Sequence, residues 1–207
     1  MIKRLLMYLG LLLNTFKMQA IGKSLESIKN YVFLGMISKR FRYLGKNVII
    51  KRSSSFHDCD VISIGNNSAV GEGCVITAWK KRGHQTFNPS IEISSNVTIG
   101  DYCHITAVNS IVISDGCQLG KMITITDNSH GRTNVDELQK KVILRDVYSK
   151  GGVYIGKNVW IGDKATILPG VTIGDGCIVG ANAVVVKSAP PYSVIVGNPA
   201  KIVKQVL

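Results

Sequence analysis

The sequence predicts an all-β fold, a coil of short parallel strands, on three observations. Aliphatic residues recur every six positions, a period that neither an isolated helix nor an alternating strand produces. Eight of fifteen such anchors are followed directly by Gly, as expected where a short strand must bend sharply at a φ-permissive residue. Val and Ile dominate the apolar residues, Gly is frequent at 21 and aromatics contribute only 7%, which favours short strands and tight turns over packed helices.

Taken in order, residues 1–43 are expected to form an N-terminal helical segment. Lys3 and Arg4 precede the apolar run Leu5–Leu13 in the manner of a signal peptide, but no small-residue cleavage site follows. The run is too short to cross a bilayer. Continued to Leu34, it reads as a basic amphipathic helix that packs on the coil or lies on a membrane surface. The coil is assigned to residues 44–197, with an irregular first turn at Leu44 and Ile50. Its regular anchors are Ile64, Val70 and Ile76; Ile93, Ile99 and Ile105; Ile113, Leu119 and Ile125; then Ile155, Ile161, Ile167, Ile173, Val179 and Val185. The six-residue spacing fails over residues 79–89, WKKRGHQTFNP, which reads as a basic, aromatic-bearing loop. Over residues 127–152 the inward aliphatic rhythm is lost, so a second loop is expected there. Solenoids carry function on such excursions. Residues 198–207 are expected to form a C-terminal tail with a short helix.

The interior of a three-faced coil is narrow, so the residue four positions after an anchor should be small. Ser68, Val97, Ala165, Val171 and Ala183 obey this rule. Cys74, Cys103, Cys117 and Cys177 obey it too, which makes them core residues rather than disulfide or zinc ligands. Only Cys59 falls outside the register. Five cysteines without a CxxC pair agree with a reducing, cytoplasmic compartment. Twenty-five Lys and Arg against 13 Asp and Glu give a formal charge of +12, which calls for an anionic partner: nucleic acid, anionic lipid or a phosphate-rich cofactor. Basic and aromatic residues are not interleaved on a recognisable nucleic-acid module, so nucleic acid is not the expected partner.

The block Val153–Gly174 (VYIGKNVWIGDKATILPGVTIG), with Val179-Gly180-Ala181, Pro190-Pro191 and Gly197–Lys201, resembles the hexapeptide-repeat acyltransferases. The likeness is to the sugar O-acetyltransferases of galactoside, maltose and polysaccharide type, over roughly residues 60–204. It implies a left-handed parallel β-helix, a homotrimer with active sites in the clefts between coils, acetyl-CoA as cosubstrate along the same cleft, and no metal. The family's catalytic histidine follows the third strand of a repeat run. Here Ile113, Leu119 and Ile125 lead into Thr126–Gly131 (TDNSHG), which matches that histidine to His130. A neutral imidazole can take the proton of a sugar hydroxyl as its oxygen attacks the thioester carbonyl. Asp127 either orients that imidazole or caps the turn.

For the cofactor, the resemblance implies backbone contacts near Gly162, Asp163 and Ala181, and cover of Trp160 by ligand or a neighbouring subunit. It matches Lys187, Lys201 and Lys204 to positions that touch CoA phosphates, the alternative for each being a solvated lysine. Val186 stands where some relatives carry Thr, which puts one side-chain contact to the cofactor in doubt. Ser149 lies in a segment used near the acetyl group. His104 and Trp79 are candidates for acceptor contact, His104 otherwise being a surface histidine, and Lys80, Lys81 and Arg82 place the 79–89 loop against acceptor or neighbouring subunit.

Two other classes are weighed. A zinc site on this type of coil needs several converging histidines, and none of the other three lies within a turn of His130. A non-catalytic scaffold would keep the coils and lose the loop and the Gly197–Lys204 tail that this chain retains. The expected activity is therefore O-acetyl transfer to a hydroxyl of a surface polysaccharide unit or its lipid-linked precursor, a small free sugar being the alternative acceptor. The N-terminal segment lacks the compact acceptor-side domain of the maltose and galactoside branch, and its basic amphipathic start suits a substrate at the membrane surface.

Overall fold

The computed structural model describes residues 16–206. The apolar run Leu5–Leu13 lies outside the described residues. Helix α1 (Phe16–Ile37) is followed by one turn of 3-10 helix, Ser38–Arg40, and then almost entirely by short strands.

These strands build three parallel sheets that the chain visits in rotation. Tyr43–Leu44 opens the first sheet, Ile49–Ile50 the second and Ser55–His57 the third; Ile62–Ile64 then returns to the first. The first sheet has six strands and ends at Thr172–Ile173, the second has eight and ends at Ala200–Gln205, and the third has six and ends at Val184–Val185. Parallel register stacks like on like: Ile105 lies between Ile76 and Ile125, and Leu119 between Ile99 and Ile161. Every one of the fifteen anchors is at most 2% exposed, so one hydrophobic stack runs through the coil. The mostly-β, parallel-sheet reading with a helical start is borne out.

The small slot four residues after an anchor does more than save space. Cys74 donates its thiol to the Gly100 carbonyl at 3.1 Å, Cys103 to Gly120 at 3.2 Å and Cys117 to Gly156 at 2.9 Å. Ser68 does the same with its hydroxyl to Ser94 at 2.9 Å. A turn carbonyl that would otherwise be orphaned inside the coil gains a donor from the neighbouring turn. All five cysteines are buried and free, Cys59 included.

Two expectations are corrected. The glycine after each anchor is needed for stacking rather than for a positive φ: a Cβ on Gly100 would sit 2.4 Å from the Gly120 oxygen. The left-handed residues come two positions later, at Asn67, Tyr102, Met122, Asn158, Lys164 and Asn182. The C-terminal tail is not helical. Ala200–Gln205 folds back antiparallel on Ser193–Gly197 at the edge of the second sheet. The β-branched Val194, Val196, Ile202 and Val203 favour extended backbone, and Gly197 takes φ +100° at the turn that reverses the chain.

A solenoid leaves its first turn open, and α1 closes it. Ile37 and Phe41 are buried with Val48 and Cys59, Phe33 and Leu34 pack at their margin, and Phe41 meets Phe56 edge-on with centroids 5.1 Å apart. Buried Asn30 accepts the Arg52 N–H at 3.1 Å, and Arg52 reaches Glu26 at 3.3 Å. No helix among the described residues is long and apolar enough to cross a membrane.

Candidate active site

Both insertions leave the coil from the same end of the third sheet. One follows Val75–Ala78, the other follows Thr124–Thr126, and His104–Ala107 lies between them. The first is a hairpin, Lys81–Arg82 against Gln85–Thr86, turning at Gly83 with φ +59°. Its base is fixed: Trp79 N–H donates to Ala107 O at 2.8 Å, Lys80 N–H to Asp58 at 3.0 Å, and the Lys80 ammonium meets Asp60 at 2.6 Å. Trp79 is half-buried between His57, 5.0 Å away, and the Arg82 guanidinium at 5.7 Å.

The second insertion starts at Asp127, which is fully buried. Its two carboxylate oxygens accept the N–H groups of Val108 and Asn109, each at 2.8 Å, and the Asn128 amide adds a bond at 3.1 Å. Burial pushes this carboxyl above its ordinary pKa while the backbone donors pull it back. No hydrogen bond joins it to His130 among the described residues. Of the two roles open to Asp127, the one visible here is structural: its oxygens anchor the turn at the root of the loop.

His130 follows on a two-stranded ribbon, Ser129–His130 against Val147–Tyr148. The imidazole is exposed and has no hydrogen bond or ion pair among the described residues. Beyond it come helix α2 (Val135–Gln139), capped by Asn134 accepting the Glu137 N–H at 2.9 Å, and the 3-10 turn Val142–Leu144. Between Ser129, Gly131, Arg132, Tyr148 and Lys150 lies a cleft of about 270 Å³, with the Arg132 guanidinium 4.3 Å over the Tyr148 ring. Ser149 is engaged locally, its hydroxyl accepting the Gly151 N–H at 3.1 Å.

The residues expected near the cofactor are spread over the second and third sheets. Trp160, 54% exposed, stands on the outer face of the second sheet between Gln118 and Ile178. Gly162 packs under Ala181, where a Cβ would come 2.6 Å from the Ala181 nitrogen, and Asp163 accepts the Lys121 N–H at 2.8 Å. Lys201 and Lys204 project from the C-terminal strand of that same sheet, opposite Val196 and Val194. Val186 and Lys187 are exposed just past the last strand of the third sheet. His104 is exposed on the third sheet beside Thr124. No cluster of His, Cys, Asp and Glu fit for a metal occurs among the described residues.

Sequence reasoning missed one set of contacts. Gln85 of the first insertion hydrogen-bonds both backbone groups of Val147 in the second, and His84 lies 3.1 Å from Asp146. The residues are 62 apart in sequence, and no local pattern signals such a pairing.

Residues 152–187 match the family model described as bacterial transferase hexapeptide (six repeats). Across 147 residues the chain is 37% identical to a putative lipopolysaccharide biosynthesis O-acetyl transferase of Escherichia coli strain K12, covering 70% of this chain and 71% of that protein. The chain belongs to the bacterial hexapeptide-repeat transferases. This hexapeptide-repeat transferase is also 32% identical over 171 residues to a dTDP-4-amino-4,6-dideoxy-D-glucose acyltransferase of Escherichia coli, with 78% and 80% covered. Its fold matches that of an N-acyltransferase from Bacillus cereus solved with dTDP and 3-hydroxybutyryl-CoA, with a TM-score of 0.71 at 25% identity, over 84% of this chain and 87% of that one. The hexapeptide-repeat chain is an acyltransferase.

Proposed function

We propose that this enzyme transfers the acetyl group of acetyl-CoA to a hydroxyl of a sugar in a surface polysaccharide unit or its lipid-linked precursor, with His130 as general base. The observation that carries the reading is the His130 imidazole, exposed on a ribbon just beyond the third sheet and without a partner among the described residues. The imidazole takes the hydroxyl proton as the C–O bond forms; the C–S bond breaks, and the proton passes to the departing CoA thiolate. The relatives named for O-acetyl transfer and for a dTDP-sugar support a sugar acceptor, and the structure holding an acyl-CoA supports the donor. A sugar amine is the second reading, favoured by the aminosugar relative. Hydroxylamine separates the two, since it cleaves an acetyl ester and leaves an amide intact: labile product supports the first reading, and stable product the second.

On this reading the coil is a closed left-handed helix and the active unit is a trimer, with acetyl-CoA between neighbouring coils. Trp160, Gly162, Asp163 and Ala181 line its path, Val186 faces it without a polar contact, and Lys187, Lys201 and Lys204 meet its phosphates. Val135, Leu138, Val142, Ile143 and Leu144, all exposed on the second insertion, are apolar surface that a neighbouring subunit would cover.

The enzyme is also proposed to work in the cytoplasm against a membrane surface. Leu25, Ile28, Val32 and Met36 of α1 are all exposed at helical spacing, and residues 24–54 carry seven Lys and Arg against one acid. Sedimentation with phosphatidylglycerol vesicles is expected to pull the full chain down, and phosphatidylcholine vesicles are not. Substituting Leu25, Ile28, Val32 and Met36 together by Ser is expected to abolish binding. Equal recovery with both lipids, or none with either, would count against the idea.

A further inference from the structure

The ribbon carrying His130 is two residues long on each strand, Ser129–His130 against Val147–Tyr148. A pair that short has no stability of its own in water. The parallel ladder that fixes the chain to the coil ends at Thr126. A side chain from the other insertion takes over. Gln85 donates from Nε2 to the Val147 carbonyl at 3.1 Å, and its Oε1 accepts the Val147 N–H at 2.6 Å. A primary amide thereby does for Val147 what a third strand would do. Val147 is 7% exposed and lies directly opposite His130. His84 adds an exposed contact to Asp146 at 3.1 Å, worth little by itself in water.

Gln85 can bear on the ribbon because its hairpin is held at the base. Trp79 and Lys80 bond to two different turns of the coil, through Ala107 and Asp58, and Pro89 at the far end is buried. The two insertions leave the third sheet two strands apart, which is why they meet.

We propose that Gln85 is a positioning residue for His130, and that the 79–89 hairpin is a strut for the catalytic loop rather than a surface for acceptor or subunit. The inference rests on His130 as general base. A base must lie within hydrogen-bond reach of the hydroxyl it deprotonates, and a displacement of about 1 Å costs on the order of 100-fold in rate.

The test uses the full chain with Gln85→Ala and the near-isosteric Gln85→Glu. Gln85→Ala is expected to lower kcat about 10- to 100-fold, leave KM for acetyl-CoA and for acceptor unchanged, and speed amide hydrogen exchange at Val147. Gln85→Glu keeps the acceptor for the Val147 N–H and recovers part of both; should the alanine variant not fold, it carries the same readouts alone. A wild-type kcat, an effect confined to acceptor KM, or unchanged exchange at Val147 would overturn the proposal. If His130→Ala proves fully active, the functional reading fails instead, and Val147 exchange still reports whether Gln85 holds the ribbon.

Discussion

His130→Ala is expected to lower kcat by about 100- to 10,000-fold, the usual contribution of a positioned general base, while acetyl-CoA still binds. The separation follows from placement. His130 sits on an insertion beyond the third sheet, whereas Trp160, Gly162, Lys201 and Lys204 belong to the coil and its C-terminal hairpin. A hydroxyl is a weak nucleophile at neutral pH, so without the imidazole the proton must go to water in the same step. Isothermal titration with CoA and steady-state kinetics on one preparation check both halves. A variant that lost CoA binding along with rate would show that His130 holds cofactor rather than taking a proton.

Asp127→Ala is expected to destabilise the protein by about 2–4 kcal/mol, since it strips the acceptors from two backbone N–H groups and each such loss costs about 1–3 kcal/mol when buried. Relief from burying a charge offsets part of this. The affected donors belong to Val108 and Asn109, which turn the chain into the strand Ser110–Ile113, so the loss falls on the coil as well as on the loop. Asp127→Asn retains one acceptor oxygen and should fall between wild type and Ala in a urea melt. It should also keep the shape of the pH–rate profile, because no hydrogen bond ties Asp127 to His130. A profile displaced in Asp127→Asn would restore the orienting role.

The coil was legible because its information is local and repeated. Each anchor states the same demand for an aliphatic side chain on an inward face, and parallel stacking turns that demand into register, as between Ile76, Ile105 and Ile125. The glycines were found for the wrong reason. Closeness between turns, not backbone sign, excludes a Cβ at Gly100, and one sequence does not show distances between turns. The partners of Asp127 lie 18 and 19 residues back, on the preceding turn of coil, so anchor and catalytic partner read alike in sequence. Gln85 was invisible for the same reason at longer range. The C-terminal segment 200–205 carries too short a pattern to tell helix from strand, and its pairing with Ser193–Gly197 is what makes it extended.

Sugar O-acetylation through His130 is tested by the stoichiometry of thiol release to ester formation, measured with a sugar panel for wild type and His130→Ala. The protein's own thiols do not interfere, since all five cysteines are buried. Release is expected to depend on a sugar acceptor, with one hydroxylamine-labile acetyl ester for each thiol and loss of both in the variant. Equal rates in wild type and variant, or thiol release with no esterified sugar, would contradict it.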